Sequence, residues 1–473
     1  MKPLHIFNTL SRAVEEFQPL DAPNVSLYSC GPTVYLPQHL GNMRAYLCWD
    51  FLRRTLELDG YRVRHIMNVT DVGHMTGDED AGEDKVEKTA RAQGKTPLEV
   101  ANFYLDLFNR DCATLNIEPP TIQCRATDHI AEMIALIERI IAGGYAYVKK
   151  SGVYFNVEKY RGPNRIGRLS RQSLDEQHSG QRLEHSPDKR SPHDFALWML
   201  NQPGHLMQWN SPWGRGFPGW HIECSAMSMK YLGDTIDIHT GGMDHIPIHH
   251  ENEIAQSESA THKPFVRYFM HNAFLVGKEG MKISKSAGKF PLLSDLAPAG
   301  FNPLAFRLFC FSAKYRSEIV FSDEGLRAAQ SNLDYLYEFA RNVPDDASAA
   351  ASEWTREYDE RFRESLNDDL NTPRALAAAL ELAAEAYRRK DFGAWPAMLT
   401  FDRVLGLNLL RHREATRASA IPPDVQAMID ERAASRRARD FQRADELRRE
   451  IESRGYEIKD NRDGTATYQP RKI

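Results

Sequence analysis

The sequence predicts an α/β protein whose parallel sheet is followed by a mainly helical region and a small C-terminal segment. Three features lead to this prediction: a strand–helix–strand pattern over 24–69, helical periodicity over 324–411, and a linker before the last part of the chain. A strand, a helix and a second strand within about 45 residues form the unit from which parallel sheets are built. The first feature therefore indicates the fold class, and the other two divide the rest of the chain.

The strand–helix–strand unit is defined by its periodicity and its end signals. The stretch NVSLYSC, at 24–30, alternates polar and apolar side chains as a half-buried strand does. From Gly41 the pattern is helical, and Gly60 supplies the stop signal. The second strand is YRVRHIMNV, at 61–69. Two further helices are predicted at 96–115 and 129–144.

The middle of the chain is predicted to interrupt the sheet domain. Residues 150–215 combine short apolar stretches such as SGVYFNV with a long polar run, RQSLDEQHSGQRLEHSPDKRSP, which is typical of short strands around an exposed loop. The sheet resumes at DTIDIHTGG, 234–242. Helices are then predicted at 324–343, 370–390 and 394–407, and the linker REATRASAIPP, at 413–423, leads to the last segment.

Composition and charge exclude several classes of protein. Apolar residues make up 42% of the 473 residues and charged residues 26%, as in soluble globular proteins. No apolar run reaches the roughly 20 residues of a membrane span, and the first stretch lacks the apolar core of a signal peptide, so we expect a cytoplasmic protein. Six scattered cysteines are too few for a disulfide scaffold. The net charge of −5 excludes a uniformly basic surface but allows a local basic patch.

Two short motifs are candidates for binding phosphate. HLGN, at 39–42, stands at the start of the first helix, where backbone N–H groups favour an anion and Gly41 lets a nucleotide approach the backbone. GMKISKSAGK, at 280–289, carries three lysines and could clamp a polyphosphate. Each has a structural alternative: an ordinary helix start, and a solvated basic loop. The first helix lacks a dinucleotide fingerprint, and GKT at 94–96 lacks the first glycine of a P-loop.

The stretch IPIHHENE, at 246–253, is a candidate for metal binding. His249 and Glu253 are four residues apart and share one face of a helix, so an imidazole and a carboxylate could hold one ion. A tight site needs further ligands, which must come from elsewhere in the chain. A second candidate, DVGHMTGDEDAGEDK at 71–85, holds His74 among carboxylates, and we interpret it as a solvated loop rather than a metal site.

The motifs in combination resemble those of class I aminoacyl-tRNA synthetases. HLGN and KISKS match the two sequence marks of that class, with Asn42 in place of the usual second histidine and Ile283 in place of the usual methionine. Further stretches resemble the cysteinyl-tRNA synthetase family over nearly the whole chain: CGPTVY, FPGWHIECSAM, HHENEIAQSE, DFALWM, TGGMD and ADELR. The resemblance implies a Rossmann-like parallel sheet with an inserted connective subdomain, then a helical-bundle anticodon-binding domain and a small C-terminal RNA-binding domain.

The resemblance also implies domain limits and site residues. The catalytic domain would span 1–315, with the insertion at about 117–215 and the KISKS loop at 282–286; the helical anticodon-binding domain would span 316–412 and the C-terminal domain 424–473. The implied site residues are the zinc ligands Cys30, Cys224, His249 and Glu253; the cysteine-pocket residues Thr33, Thr70, Trp220 and His239; the ATP-binding residues His39, Gly41, Asn42, Gly242, Asp244 and Lys285; and the catalytic residues His39, Asn42, Lys282 and Lys285. His245 is a local departure that could compete for the metal or line the pocket.

The chemistry of the implied ligands explains what the metal would do. Two thiolates, an imidazole and a carboxylate are plausible zinc ligands, although each cysteine alone could be a packing residue. Zinc favours thiolate, so a substrate cysteine could add its sulfur as a further ligand, whereas serine offers a hard hydroxyl. Side-chain size alone discriminates by only about 1–3 kcal/mol. The metal would therefore be the specificity device, and no editing site would be required.

The arginine-rich tail is evidence about whether the protein binds RNA. From Arg432 to Arg454 there are eight arginines and five acidic residues at helical spacing. Arginine suits phosphate and base contacts, but the same spacing is typical of a helix with i,i+4 ion pairs. Beside a helical domain and a class I core, we favour RNA binding. GYEIKDNRDGTATY, at 455–468, is predicted to form a hairpin with DG at its turn.

The resemblance therefore implies cysteine–tRNA ligase activity. The protein would activate L-cysteine with ATP and Mg²⁺ to cysteinyl-adenylate and transfer it to the 3′ end of tRNA(Cys), with one zinc ion selecting the thiolate. The expected partners are tRNA(Cys), ATP and L-cysteine, without a membrane, and the expected state is a monomer. Two alternatives are a ligase joining cysteine to an amino sugar in thiol biosynthesis and a non-catalytic RNA-binding homologue. The arginine-rich tail disfavours the first, and the retained zinc ligands and Lys285 disfavour the second.

Overall fold

The structure, a computed structural model, describes residues 2–76, 82–160, 167–172, 187–277, 291–345, 350–418, 422–460 and 466–470. It divides the chain into two compact units, residues 1–336 with 345–407, and residues 337–344 with 408–473. Among the described helices, none is long and apolar enough to cross a membrane.

The first unit is built on a sheet in which, over the described residues, five strands run parallel. Their spatial order is Val266–Asn272, Ile236–Gly242, Asn24–Ser29, Arg62–Val69 and Ile122–Arg125. Leu27, in the central strand, lies opposite His65 on one side and Ile238 on the other. The chain moves outward from the central strand first to one edge and later to the other, so the strand order reverses beside it. The predicted parallel α/β sheet is confirmed.

The first helix, Leu40–Leu58, follows the central strand as the periodicity predicted. His39 is its N-cap, because the ring nitrogen Nδ1 accepts a hydrogen bond from the backbone N–H of Asn42 at 3.2 Å. The helix is buried around most of its circumference, since it packs on the helices Pro303–Phe311 and Trp395–Leu405 as well as on the sheet. Its N-terminus is thereby held at the carboxyl edge of the sheet.

The remaining helices of the first unit connect the strands or follow the sheet. Those before the last sheet strand are Lys85–Gln93, Pro97–Thr114, Ile130–Ala142, the short Val157–Tyr160, Trp220–Leu232 and His249–Thr261. Those after it are Pro303–Phe311, Asp323–Asn342 (whose end belongs to the second unit), Arg356–Leu366, Thr372–Arg389 and Trp395–Leu405. Short strands pair outside the main sheet, His5–Asn8 with Ala13–Glu16 and Leu275–Val276 with Ile319–Val320.

The connection between the strands Ile122–Arg125 and Ile236–Gly242 carries an inserted antiparallel sheet. The spatial order of its strands is Ala146–Val148, Gly152–Phe155, Ala196–Leu200, Gly214–Pro218 and Trp209–Ser211. Because Ile122–Arg125 pairs within the parallel sheet, the inserted sheet begins well after 117, the start expected for the insertion. Most of the polar run at 171–192 lies outside the described residues.

The linker predicted at 413–423 is wrong in its first half, because Leu409–Ala418 is a helix of the second unit. Arg413 and Arg417 donate hydrogen bonds to the backbone oxygen of Val343, 70 and 74 residues away in sequence. The ring of His412 also stacks on Tyr337, with centroids 3.7 Å apart. These distant partners stabilise a helix that local composition could not indicate.

The rest of the second unit contains the helices Pro423–Arg437 and Phe441–Ser453, then the antiparallel strands Tyr456–Asp460 and Ala466–Pro470. The arginine-rich stretch is not one continuous helix, because the chain turns at Arg439, whose φ is 62°. The predicted hairpin strands are present, and the turn itself lies outside the described residues. A small apolar core joins helices and strands through Val425, Ile429, Ile451 and Ile458.

Candidate active site

A cleft of about 550 Å³ opens at the carboxyl edge of the parallel sheet, within the first unit. It lies where the strand order reverses, which is where open α/β sheets bind their ligands. Its walls come from the segments that follow the strands Asn24–Ser29 and Ile236–Gly242, and from the N-terminus of the first helix. The start of the helix Trp220–Leu232, the segment after Arg62–Val69, the segment after Val266–Asn272 and the start of the helix Lys85–Gln93 also contribute.

Four buried side chains from separate elements meet beside this cleft. Cys30 follows the central strand, Cys224 lies on the helix Trp220–Leu232, and His249 and Glu253 lie one turn apart on the next helix. Their donor atoms all lie within 4.8 Å of one another. Zinc bonds of about 2.0–2.3 Å would place the ligand atoms of a tetrahedron about 3.3–3.8 Å apart. The cluster therefore has donor types that suit zinc, and its donor atoms are close enough together that small side-chain shifts could bring them around one ion.

The protonation of these groups follows from burial and from their contacts. Burial raises the pKa of the Cys30 thiol, and it raises the pKa of the Cys224 thiol well above its usual range. Burial alone would lower the pKa of His249, but the carboxylate of Glu253, 3.0 Å from its Nε2, raises it to about 10. Burial would raise the pKa of Glu253, yet the neighbouring His239 and His249 hold it well below its usual range. A cation must therefore displace protons from the metal-free cluster.

Two histidines outside the cluster orient its members. His239 Nε2 lies 2.8 Å from Oε2 of Glu253, and His221 Nδ1 lies 2.8 Å from Nδ1 of His249. Contacts of this kind fix the orientation of metal ligands. His239 is fully buried beside Glu253 and lies outside the lining of the cleft formed by the described residues, and its place in the cysteine pocket stays a prediction.

His250 provides an alternative ligand set at the same cluster. The second group with donor atoms within 4.8 Å consists of Cys30, His239, His250 and Glu253. His239 and His250 are both fully buried, whereas Cys224 and His249 line the cleft. A molecule entering the cleft would therefore meet the set with two cysteines. His245 also lines the cleft, with its ring centroid 5.1 Å from that of His249.

The described residues predicted to bind ATP all line the cleft. His39, Gly41 and Asn42 do so at the N-terminus of the first helix, and Gly242 and Asp244 do so after the strand Ile236–Gly242. A Cβ on Gly41 would lie 3.0 Å from the His39 ring, and a Cβ on Gly242 would lie 2.3 Å from Oδ1 of Asp244. A side chain at Gly41 would crowd the His39 ring and one at Gly242 would displace the Asp244 carboxylate, so each substitution would disturb a cleft residue. The helix start also leaves backbone N–H groups for an anion.

Three of the four residues predicted to form the cysteine pocket also line the cleft. These are Thr33, Thr70 and Trp220. The two lysines of the predicted pyrophosphate clamp, Lys282 and Lys285, lie outside the described residues. The nucleotide and amino-acid halves of the predicted site thus share one cleft, and the lysine loop stays a prediction.

His74 and Lys85 are polar residues of the cleft wall that the sequence did not assign to the site. The interpretation of 71–85 as a solvated loop is wrong for His74, which is 9% exposed, while residues 77–81 lie outside the described part of the chain. His74 follows Thr70 by four residues, just beyond the carboxyl end of a sheet strand. That position was the signal that could have identified it.

Glu223 is a further residue that sequence analysis missed. It is fully buried, and burial raises the pKa of its carboxyl group well above the usual range. The Thr70 hydroxyl donates to it at 3.0 Å and accepts from the Asn68 amide at 3.0 Å. The Asn68 oxygen accepts from the backbone N–H of Gly31 at 2.7 Å. This chain of hydrogen bonds connects the residue before one cluster cysteine, Cys224, to the residue after the other.

Comparison with known families assigns most of the chain. The model of the class I (C) tRNA synthetase catalytic domain matches residues 16–331, and the DALR domain model matches 361–410. The model of the cysteinyl-tRNA ligase anticodon-binding domain matches 418–467. The curated cysteine–tRNA ligase of Chlorobaculum tepidum is 42% identical over 100% of both chains. Cysteine–tRNA ligase 1 of Burkholderia lata is 44% identical over 98% of this chain and 96% of its own.

A solved structure agrees on the fold. Mycobacterium tuberculosis methionyl-tRNA synthetase in complex with methionyl-adenylate superposes with a TM-score of 0.57, over 82% of this chain and 90% of its own. The two sequences are 17% identical, so this likeness concerns the fold alone.

Proposed function

Because the chain belongs to the cysteine–tRNA ligase family of class I aminoacyl-tRNA synthetases, we propose that it activates L-cysteine with ATP and transfers the cysteinyl group to tRNA(Cys). We further propose that one zinc ion, held by Cys30, Cys224, His249 and Glu253, selects cysteine among the amino acids.

The observation that carries this proposal is the convergence of those four side chains beside the cleft. Their donor atoms lie within 4.8 Å of one another, and Cys30, Cys224 and His249 line the cleft that Thr33 and Trp220 share. Bound zinc would supply a borderline-soft Lewis acid that takes a thiolate in preference to a hydroxyl. Because the ligands come from packed elements of the first unit, the pocket supports the metal rather than the reverse.

The proposed reaction has two steps. A carboxylate oxygen of cysteine attacks the α-phosphorus of ATP, the bond to the bridging oxygen breaks, and pyrophosphate leaves with the electron pair. A hydroxyl oxygen of the terminal tRNA adenosine then attacks the carbonyl carbon of the adenylate, and AMP leaves. The protein contributes position and charge stabilisation rather than covalent chemistry.

Each part of the cleft has a proposed task in these steps. Thr33, Thr70 and Trp220 would hold the amino acid beside the cluster, and His39 and Asn42 would contact the phosphates at the helix start. Gly242 and Asp244 would face the ribose of ATP. Lys282 and Lys285, together with Mg²⁺, would neutralise the leaving pyrophosphate.

The proposed acceptor is tRNA, and the proposed protein is a cytoplasmic monomer. Exposed Arg437 and the 61% exposed ring of Phe441 in the second unit suit contacts to phosphates and bases. The domain limits proposed above, 1–315, 316–412 and 424–473, assign catalysis to the first and RNA binding to the other two. A small amino-sugar acceptor would need neither of them.

An aminoacylation assay tests the proposal. The full-length chain is incubated with labelled L-cysteine, ATP, Mg²⁺ and total tRNA, and its zinc content is measured in parallel. We expect cysteinyl-tRNA and about one zinc ion per chain. Cysteine-dependent pyrophosphate exchange without tRNA charging, but with ligation to an amino sugar, would favour the alternative acceptor. Absence of cysteine-dependent exchange would contradict the proposal as a whole.

A further inference from the structure

His74 contacts two of the residues that are proposed to hold cysteine. Its ring stacks on Trp220, with centroids 4.1 Å apart and planes 9° from parallel. Its Nδ1 lies 2.8 Å from Oγ1 of Thr33. With 9% exposure it forms part of the cleft wall rather than of the outer surface. The same residue thus touches both the apolar and the polar side of the proposed pocket.

Lys85 determines which ring nitrogen of His74 carries the hydrogen. Its Nζ lies 2.6 Å from Nε2 of His74, and an ammonium group can only donate. Nε2 therefore accepts, and the neutral ring carries its hydrogen on Nδ1. Nδ1 donates in turn to the Thr33 hydroxyl, which accepts this bond and keeps its own hydrogen for an acceptor in the cleft.

A buried carboxylate holds the segments that carry Lys85 and His74. Lys85 is the first residue of the helix Lys85–Gln93, and Asp84, only 2% exposed, is the N-cap of that helix. Asp84 also accepts a hydrogen bond from the backbone N–H of Gly73 at 2.8 Å. One carboxylate therefore holds both the helix that carries Lys85 and the segment that carries His74.

We infer that His74, held by Lys85, is a positioning residue that presents the Thr33 hydroxyl as a hydrogen-bond donor to the carboxylate of the cysteine substrate. The inference rests on the proposed function, since cysteine must occupy this cleft. The substrate carboxylate needs donors and its ammonium group needs acceptors. A hydroxyl that accepts from His74 keeps its own hydrogen to donate, and of the two charged substrate groups only the carboxylate can accept it.

The stacking contacts make the same residue a support for the pocket wall. Trp220 lies between His74 on one face and His249, a proposed zinc ligand, at 4.4 Å on the other. An indole held on both faces has little freedom to rotate, so the wall is preorganised before the substrate enters.

A set of substitutions separates this role from a general structural one. His74→Phe keeps a ring for stacking on Trp220 and removes both nitrogens. We expect the KM for cysteine in pyrophosphate exchange to rise about tenfold, the effect of one lost hydrogen bond. The KM for ATP, kcat and zinc content should stay within about twofold. Thr33→Val should raise the KM for cysteine similarly, and the double variant should be no worse than either alone, because one interaction is removed twice.

Two controls keep the test decisive if His74→Phe folds poorly. Lys85→Met should raise the KM for cysteine and Lys85→Arg should restore it, because an arginine also donates. His129→Phe changes another buried histidine, 4% exposed and outside the cleft lining, and should leave the KM for cysteine unchanged. An unchanged KM in His74→Phe, or multiplying effects in the double variant, would overturn the inference. A wild-type chain without cysteine-dependent exchange would instead reject the proposed function.

Discussion

Cys224 and Cys310 are both buried cysteines on helices, yet their surroundings differ. Cys224 brings its sulfur within 4.8 Å of donor atoms of Cys30, His249 and Glu253, whereas Cys310 belongs to no such group among the described residues. We predict that Cys224→Ala lowers cysteine-dependent pyrophosphate exchange at least about 100-fold, since loss of an outer contact alone costs about 10–100-fold. Direct titration with ATP should show that nucleotide binding survives.

Cys310→Ala is the matched control for this prediction. Its side chain is 2% exposed on the helix Pro303–Phe311, so its loss should lower the free energy of unfolding by about 0.5–3 kcal/mol. Zinc content and exchange should stay at the wild-type level. A Cys224→Ala protein that kept both would contradict the assignment of the ligand.

Zinc binding should strengthen as the pH rises. Burial raises the pKa of both cluster thiols, and the carboxylate of Glu253 outweighs burial and raises the pKa of His249 to about 10. Near neutral pH these groups hold protons in the metal-free chain, so binding releases up to about three protons and a fall in pH favours the proton over the metal. Competition with a chelator between about pH 6 and 9 measures the slope. A flat profile would show that the ligands lie elsewhere.

The sequence indicated the positions of some site residues but not the surroundings of others. The residues predicted at the first helix line the cleft because a helix start fixes them locally. The sequence did not indicate the surroundings of His239 and His74, because these depend on partners distant in sequence, Glu253 at 14 residues and Thr33 at 41. Motifs indicate which residues gather at one edge of a sheet. They do not indicate which of those side chains line the cleft and which are buried behind it.

At the scale of elements, local periodicity predicted the strands and helices whose own sequence pattern specifies them. The strand Asn24–Ser29 alternates and the first helix keeps its period, so both were found near their true limits. Residues 413–418, the later part of the helix Leu409–Ala418, were predicted as linker because the contacts that support them are to Val343, 70 residues or more away. Periodicity cannot report a contact of that kind.

The tail arginines divide into two groups that composition could not separate. Arg432, Arg436 and Arg448 all pair with Asp460, so the ion-pair interpretation holds for them. Arg437 is exposed on the same helix as Arg432 and remains a candidate for RNA contact. The sequence spacing is common to both groups, and only the fold assigns each side chain its neighbour.

We predict opposite effects for two arginines of this helix. Arg432 is 2% exposed and also donates to the Tyr468 hydroxyl, so Arg432→Ala should destabilise the second unit by about 2 kcal/mol through the partners it leaves. Arg437→Ala should leave stability unchanged but weaken tRNA binding severalfold. Thermal unfolding and filter binding measure the two effects. A stability loss in Arg437→Ala with unchanged tRNA binding would assign that residue to packing.

At the scale of the whole molecule, activation and RNA binding should be separable. All described residues of the cleft lie in the first unit, before residue 277. Removal of residues 419–473 deletes the helices after Leu409–Ala418 and the hairpin while keeping the contacts of Arg413 and Arg417 to Val343. Cysteine-dependent pyrophosphate exchange should then stay within about twofold, and tRNA charging should fall at least about 100-fold as the phosphate contacts are lost.

The control for this truncation is the salt dependence of the full chain. The logarithm of its association constant for tRNA should fall linearly with the logarithm of the salt concentration, because binding releases counterions from the phosphates. Charging by the truncated chain at the full-length rate would mean that the tail does not bind RNA.

The central claim is that zinc at this cluster recognises the cysteine thiolate, and X-ray absorption at the zinc edge tests it most directly. The zinc-loaded protein should show two sulfur neighbours at about 2.3 Å and two lighter ones at about 2.0–2.2 Å. Addition of L-cysteine should add one sulfur neighbour, and addition of L-serine should leave the spectrum unchanged. A spectrum that did not change with cysteine, in protein that still activates it, would contradict the claim.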